Sequence, residues 1–289
     1  MDLRRLRLFL AVVDEGGFTA AARAVHVAQP AVSLAVRELE AELGTPLLVR
    51  SRQGATLTAA GEALVGPARQ AVRDVENGAA AVAAVTGLVA GRLDLATLPT
   101  LAADPVADLV GRFRRAHPGV TIRLGAPADV AELSDWVRSG AAEVGVTEQG
   151  PSNRGLVEVR LAEQELHAVS PAGGPTGPLH LDRLTDVPLL LSPAGSSLRD
   201  AVDTAMTAAG VEPNVAVETA QRDALIPLVL AGAGTTFLPD RLAAAAGRLG
   251  ATVRTTVPRL RRTIVLVHRT GEVGPAARRF RDLAVTADG

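Results

Sequence analysis

No cysteine and no lysine occur anywhere in the 289 residues. Without cysteine there is no disulfide, no thiolate metal site and no redox-sensing thiol. Without lysine there is no P-loop and no Schiff-base nucleophile. The histidines are scattered, at His26, His117, His167, His180 and His268, with no ligand spacing. Neither a metal nor a cofactor is therefore expected. Long apolar runs are lacking too, and none approaches the ~18 residues that cross a bilayer. Near the start, Arg4, Arg5 and Arg7 ahead of Leu8 to Val13 mimic a secretory signal. That run ends at Asp14-Glu15 with no small-residue cleavage site. An amphipathic helix with Leu3, Leu6, Phe9, Leu10 and Val13 inward explains it better. A cytoplasmic protein without membrane contact is expected.

What remains is ample for packed cores: 47% of the residues are hydrophobic, and the length predicts two or three domains. A net charge of −1 excludes a chain that binds nucleic acid over its whole surface, but permits a local basic face. All thirty basic residues are arginine, whose fork suits phosphate and guanine.

The stretch from Gly17 to Gly61 organises the rest. Thr19 is placed to cap a helix, with Phe18 before it as an apolar staple. Ala21, Ala22 and Val25 follow at helical spacing. After a break at His26 to Ala28, Gln29-Pro30 opens a second helix with the stripe Val32, Val36, Leu39 and Leu43. Gly44 stops it. Val49 to Leu57 then reads as a two-strand wing turning at Gln53-Gly54. Two short helices around a tight break form either a helix-turn-helix or a plain helical hairpin. In the first case Gln29, Pro30, Ala31 and Ser33 face the base edges, and Arg50 and Arg52 on the wing face phosphate.

This stretch closely resembles the DNA-binding domain of the LysR-type transcriptional regulators. The shared features are the Phe-Thr-x-Ala-Ala run, the Gln-Pro-Ala-Val-Ser block, Leu39-Glu40, the Leu-Gly-x-Pro-Leu run and the Leu-Thr-x-Ala-Gly close. Ala28 stands where the family usually has Ser, which removes a capping hydroxyl. Leu48 stands where it usually has Phe. The resemblance implies contact with double-stranded DNA from Thr19, Gln29, Pro30, Ala31, Ser33, Arg37, Arg50 and Arg52.

A helix capped by Thr58 is expected to run to Val85, with Leu64, Ala68, Ala71, Val75, Ala79, Val82 and Val85 on one weakly charged face. It packs either within its own chain or, as the resemblance implies, against a second copy. From Gly91 strands alternate with helices. The first block has strands 92–96, 120–124 and 143–147 and helices 102–116 and 128–139. The second has strands 187–191, 214–218 and 235–238 and helices 197–209 and 222–231. A strand at 262–268 and a helix at 275–285 return. Such alternation implies parallel βαβ units. The phrases Phe113 to Pro118, Gly140 to Val146 and Leu230 to Pro239 resemble the family's regulatory region, built like a type 2 periplasmic binding protein.

The expected architecture is therefore a two-part α+β chain. Residues 1–60 form a winged helix-turn-helix and 58–87 a linker and dimerisation helix. Residues 88–289 form an effector-binding α/β domain, with a first lobe at about 88–160 and 262–289 and a second at about 161–261. A homodimer or homotetramer is implied. Ligands of open α/β sheets sit at the carboxyl ends of strands, which selects Thr97, Thr100, Pro127, Thr147, Ser192, Gly195, Ser196, Ser197, Gln221 and Arg222. Ordinary capping of the helix at 197 by its serines is the other reading of that segment. Clustered hydroxyls, a helix N-terminus and Arg222 favour a small anion. Glu148, in the same ring, opposes one unless turned away. A solute-binding protein with an N-terminal extension would need an export signal. An enzyme would need a catalytic cluster, and Gly232-Ala-Gly234 and Gly195-Ser196-Ser197 supply neither a dinucleotide motif nor a nucleophile elbow.

Overall fold

The computed structural model describes residues 1–51, 54–85, 91–194, 196–271 and 273–286. Helix α1 (Leu3–Asp14) begins where the Asp2 carboxylate accepts the Arg5 N–H at 2.8 Å. Helices α2 (Phe18–Ala24) and α3 (Gln29–Leu43) follow. Leu8 and Val12 are buried along with Leu6, Phe9 and Leu10, so the inner face of α1 is wider than a single stripe. The reason is that α1 meets α2, α3 and α4 (Ala59–Val85) together.

Two local expectations are corrected. Thr19 is not the cap of α2. Gly17 precedes that helix in extended backbone with no side-chain cap, and Thr19 is exposed inside it. Starting two residues earlier carries Phe18 into the core's edge. Leu43 is exposed, while Val32, Val36 and Leu39 are fully buried. The left-handed Gly44 (φ 72°) turns the chain so that Leu47 and Leu48 enter the core instead.

Strands β1 (Leu48–Ser51) and β2 (Gly54–Leu57) pair antiparallel as the wing. Gly54 has φ 136°, and a Cβ there would collide with the Gly16 carbonyl oxygen. That oxygen accepts the Ala55 N–H at 2.9 Å, which ties the wing to the α1–α2 loop. Thr58 caps α4 as expected: its hydroxyl accepts the Gly61 N–H at 3.0 Å and donates to the Pro46 carbonyl at 2.8 Å. Val65 and Ala68 join the N-terminal core. Farther along α4, Val75 and Val82 are 55% and 73% exposed.

The remainder follows the βαβ grammar. In order come β3 (Gly91–Thr97), α5 (Pro99–Leu101), α6 (Ala107–Ala116), β4 (Val120–Gly125), α7 (Val130–Ser139), β5 (Val144–Glu148) and β6 (Leu156–Ser170). Then come β7 (Leu179–His180), β8 (Leu189–Leu191), α8 (Ser197–Ala208), β9 (Val215–Glu218), α9 (Leu225–Leu230), β10 (Thr236–Pro239) and α10 (Asp240–Arg248). The chain closes with β11 (Thr252–Arg254), β12 (Thr256–Val257), β13 (Leu260–Arg269) and α11 (Pro275–Val285). The single helix expected at 102–116 is broken at Asp104 (φ −155°, ψ 115°), because the residue before Pro105 is driven out of the helical region.

Strands β3, β4 and β5 are parallel, as are β8 and β9. The main sheet runs β10-β6-β13-β5-β3-β4, with β11 also on β6. One core draws on residues between Leu93 and Leu161 and between Ile264 and Ala284. Two others draw on residues between Leu166 and Leu260. The antiparallel pair β6 and β13 belongs to both regions. Its ladder matches Ile264 with Ala162 and Val265 with Arg160, so Leu161 is an extra residue bulged out of register. Buried positions on β6 change from Leu161 to the even-numbered Gln164, Leu166 and Ala168 across that point.

Candidate functional site

At the start of α3, Gln29 and Pro30 are exposed and Ala31 is half-buried. Ala28, the cap residue, offers no side-chain bond. Ser33 is buried, not presented to solvent. Its hydroxyl accepts a hydrogen bond from the Gln29 side-chain amide at 2.9 Å, and its carbonyl accepts from Arg37 Nε at 3.3 Å. Ser33 therefore orients the two side chains that flank it by one helical turn. Leu34, also on α3, is 51% exposed. On the wing, the exposed Arg50 guanidinium lies 3.9 Å from the centroid of the Phe18 ring. That stacking holds a cation beside the start of α2, near Thr19. Arg52 lies outside the described residues.

The second set of residues gathers at strand ends. Thr97 closes β3, Thr100 lies in α5, and Thr147 stands in β5, which is paired to β3. Pro127 follows β4 and is buried. Ser192 follows β8, Ser196 precedes α8, and Gln221 and Arg222 follow β9. Thr100, Thr147, Ser192 and Ser196 are all buried, and none of their hydroxyls has a hydrogen-bond partner among the described residues. The same holds for Nη1 of Arg222. Buried polar atoms are nearly always paired, so five orphans in one set of residues is unusual. Ser196 makes no capping bond to α8, which removes the ordinary explanation for that serine. Thr97 differs, since its hydroxyl donates weakly to the Leu98 carbonyl at 3.4 Å. Gln221 is exposed. Gly195 and the side chain of Ser197 lie outside what is described.

Glu148 is paired with a residue that sequence reasoning missed. Arg262, on β13, is buried and donates from Nη1 to Glu148 at 2.5 Å and from Nε to the Gln164 side-chain Oε1 at 2.7 Å. Gln164 in turn donates to the Asp104 carboxylate at 3.1 Å. Burial pushes the pKa of Arg222 down; Arg262 pushes it further down and Glu148 pulls it up, so these three charges share one neighbourhood. The available signal was an arginine beside the apolar run Ile264 to Val267 on a strand.

A second charged cluster joins the long helix to the sheet. Arg73 on α4 is buried and donates to the Gly140 carbonyl, at the end of α7. Glu143 is also buried and accepts the Gly274 N–H at 2.8 Å, at the start of α11. Arg269 donates to the Val137 carbonyl at 3.5 Å. Burial lowers the pKa of Arg73 and raises that of Glu143. Among the described residues no helix is long and apolar enough to cross a membrane, and no group of side chains forms a metal site.

Two family models match the chain. Residues 3–62 match the bacterial regulatory helix-turn-helix protein, lysR family, and residues 86–288 match the LysR substrate binding domain. The HTH-type transcriptional regulator TfdS of Cupriavidus pinatubonensis is 33% identical over 98% of both chains. Among solved structures, full-length CbnR complexed with its target DNA is similar at a TM-score of 0.68, with 28% identity over 98% of this chain and 99% of that one. Full-length OxyR from Pseudomonas aeruginosa is similar in fold at a TM-score of 0.79, with 24% identity over 98% of this chain and 93% of that one.

Proposed function

Since the chain belongs to the LysR family of DNA-binding transcriptional regulators with an effector-binding domain, we propose how its parts divide that work. Residues 1–60 hold operator DNA. Gln29, Pro30 and Ala31 read base edges, Ser33 positions Gln29, and Thr19, Arg37, Arg50 and Arg52 meet the backbone. Residues 58–87 pair two chains through the exposed apolar positions around Val75 and Val82, giving a homodimer or a tetramer built from it. Residues 88–289 bind a small anion between a first lobe, 88–160 and 262–289, and a second, 161–261. The protein works in the cytoplasm.

The observation that carries the cleft reading is the orphan set: four buried hydroxyls and one guanidinium nitrogen without partners among the described residues. A ligand that accepts hydrogen bonds from both lobes restores them and favours the closed arrangement. Closure then reaches the DNA-binding domains through α4.

The test is effector screening with the full-length protein. Thermal shift should single out anions, and Thr100→Leu or Ser196→Leu should each abolish the response. Stabilisation by neutral or cationic compounds only would overturn the anion reading. For the DNA face, Arg50→Ala should weaken binding to all sequences alike and lower the salt slope by about 1. A changed sequence preference with an unchanged slope would contradict the phosphate role.

A further inference from the structure

We propose that Glu148 makes the cleft selective for an anion of single charge. The inference rests on the cleft reading above and adds the charge of its ligand. Arg222 and Arg262 share this neighbourhood with Glu148, the carboxylate that acts on both; Asp104 acts on Arg262 as well, and Arg241 beside it is paired with Asp108 at 2.6 Å. Arginine stays protonated at neutral pH even when buried, so both carry full charge.

Arg262 is already spent. Its Nη1 meets Glu148 at 2.5 Å, and its Nε and Nη2 meet the Gln164 oxygen. Asp104 is spent too, held by Gln164 at 3.1 Å and facing Arg241 of the second lobe at 3.8 Å. Arg222 forms no ion pair among the described residues, and its Nη1 is buried without a partner. One positive charge is therefore left over, accompanied by the neutral hydroxyls of Thr100, Thr147, Ser192 and Ser196. A single carboxylate matches that inventory: the charge goes to Arg222 and the remaining lone pairs go to hydroxyls. A second carboxylate on the ligand finds hydroxyls but no free cation, and it is repelled by Glu148. Leaving a desolvated charge unpaired is the costly outcome that specificity by rejection exploits. Glu148 is thus a specificity-determining residue that cancels Arg262, in place of a cleft with two cations to offer.

The experiment titrates full-length protein at neutral pH and fixed ionic strength with two matched pairs, acetate against malonate and benzoate against phthalate. The wild type should bind the monocarboxylate of a pair roughly tenfold more tightly than its dicarboxylate. Glu148→Gln, which keeps an acceptor for Arg262 but frees its charge, should bring the dicarboxylate to parity or better. Should that variant fail to fold, Arg262→Gln serves. It leaves Glu148 to cancel Arg222, and monocarboxylate affinity should fall by roughly tenfold although every Arg262 nitrogen is bonded to protein. Binding with the same ratio in Glu148→Gln as in the wild type, or an unchanged affinity in Arg262→Gln, overturns the charge matching alone. Tighter binding of the dicarboxylates by the wild type does the same. No binding of any of the four to the wild type overturns the cleft reading and this inference with it.

Discussion

Two buried clusters of arginine and glutamate lie in this chain, and they are built differently. At the junction of α4 with the sheet, Arg73, Glu143 and Arg269 each bond to backbone: Gly140, Gly274 and Val137. Among the described residues, Arg73 Nε is the one buried side-chain atom left without a partner there. In the proposed cleft, Arg262 and Glu148 satisfy one another, but Nη1 of Arg222 and four hydroxyls have no partner among the described residues. The first cluster spends its polar atoms on its own fold. The second holds some in reserve. Burial of charge is therefore not by itself a mark of a binding site; what separates the two clusters is where the hydrogen bonds go.

The contrast can be broken at the junction first, where the largest effect is expected. Glu143→Ala leaves Arg73 and Arg269 buried together and the Gly274 N–H unpaired, so it should cost about 3 kcal/mol of stability in urea denaturation. A loss below about 1 kcal/mol would mean that the junction is solvated and not closed. In the cleft the sign should reverse. Thr147→Val removes a fully buried hydroxyl that has no partner and keeps its shape, so stability should rise by about 1 kcal/mol while the effector response weakens. If Thr147→Val instead destabilises the protein without its effector, that hydroxyl has a structural partner and the contrast fails.

The smallest effect is one of pH. The Glu143 carboxyl sits above its ordinary value of 4.5, through burial first, against the opposing pull of the Gly274 N–H and Arg73. A folded-state pKa raised in this way means that the folded protein holds the proton more tightly than the unfolded chain. Its contribution to stability is then full below 4.5 and declines as pH rises through the raised value. Glu143→Gln should flatten that part of the stability profile in thermal melts from acid to neutral pH. Parallel profiles for the two proteins would assign the slope to other groups.

Much of this was legible in the residues. The winged helix-turn-helix and the course of α4 follow from Pro30, Gly44, Thr58 and the apolar stripes, all local signals. The hydroxyls assigned to the proposed cleft were selected from strand ends alone, since β-α turns concentrate there. What escaped was non-local. Strand β6 carries Glu158, Arg160, Glu163 and Glu165 among its apolar residues, which hides a strand whose faces serve different neighbours. Arg262 meets Glu148 across 114 residues of sequence, and no spacing rule spans that. Thr19 misled because a hydroxyl beside a helix start is a capping signal, whereas here the bulk of Phe18 sets the start. Leu43 misled because its stripe outlasts the surface that the stripe covers.

The bulged Leu161 has a genetic consequence. On one side of it β6 serves one core, and on the other side it serves the next, with the inward parity changed between them. A single-codon insertion or deletion between Leu161 and Gln164 would turn Gln164, Leu166 and Ala168 outward at a stroke, whereas a change of two codons would leave their facing intact. Length variants of this strand that survive selection should accordingly differ by even numbers of residues, and the odd ones should carry a compensating bulge of their own.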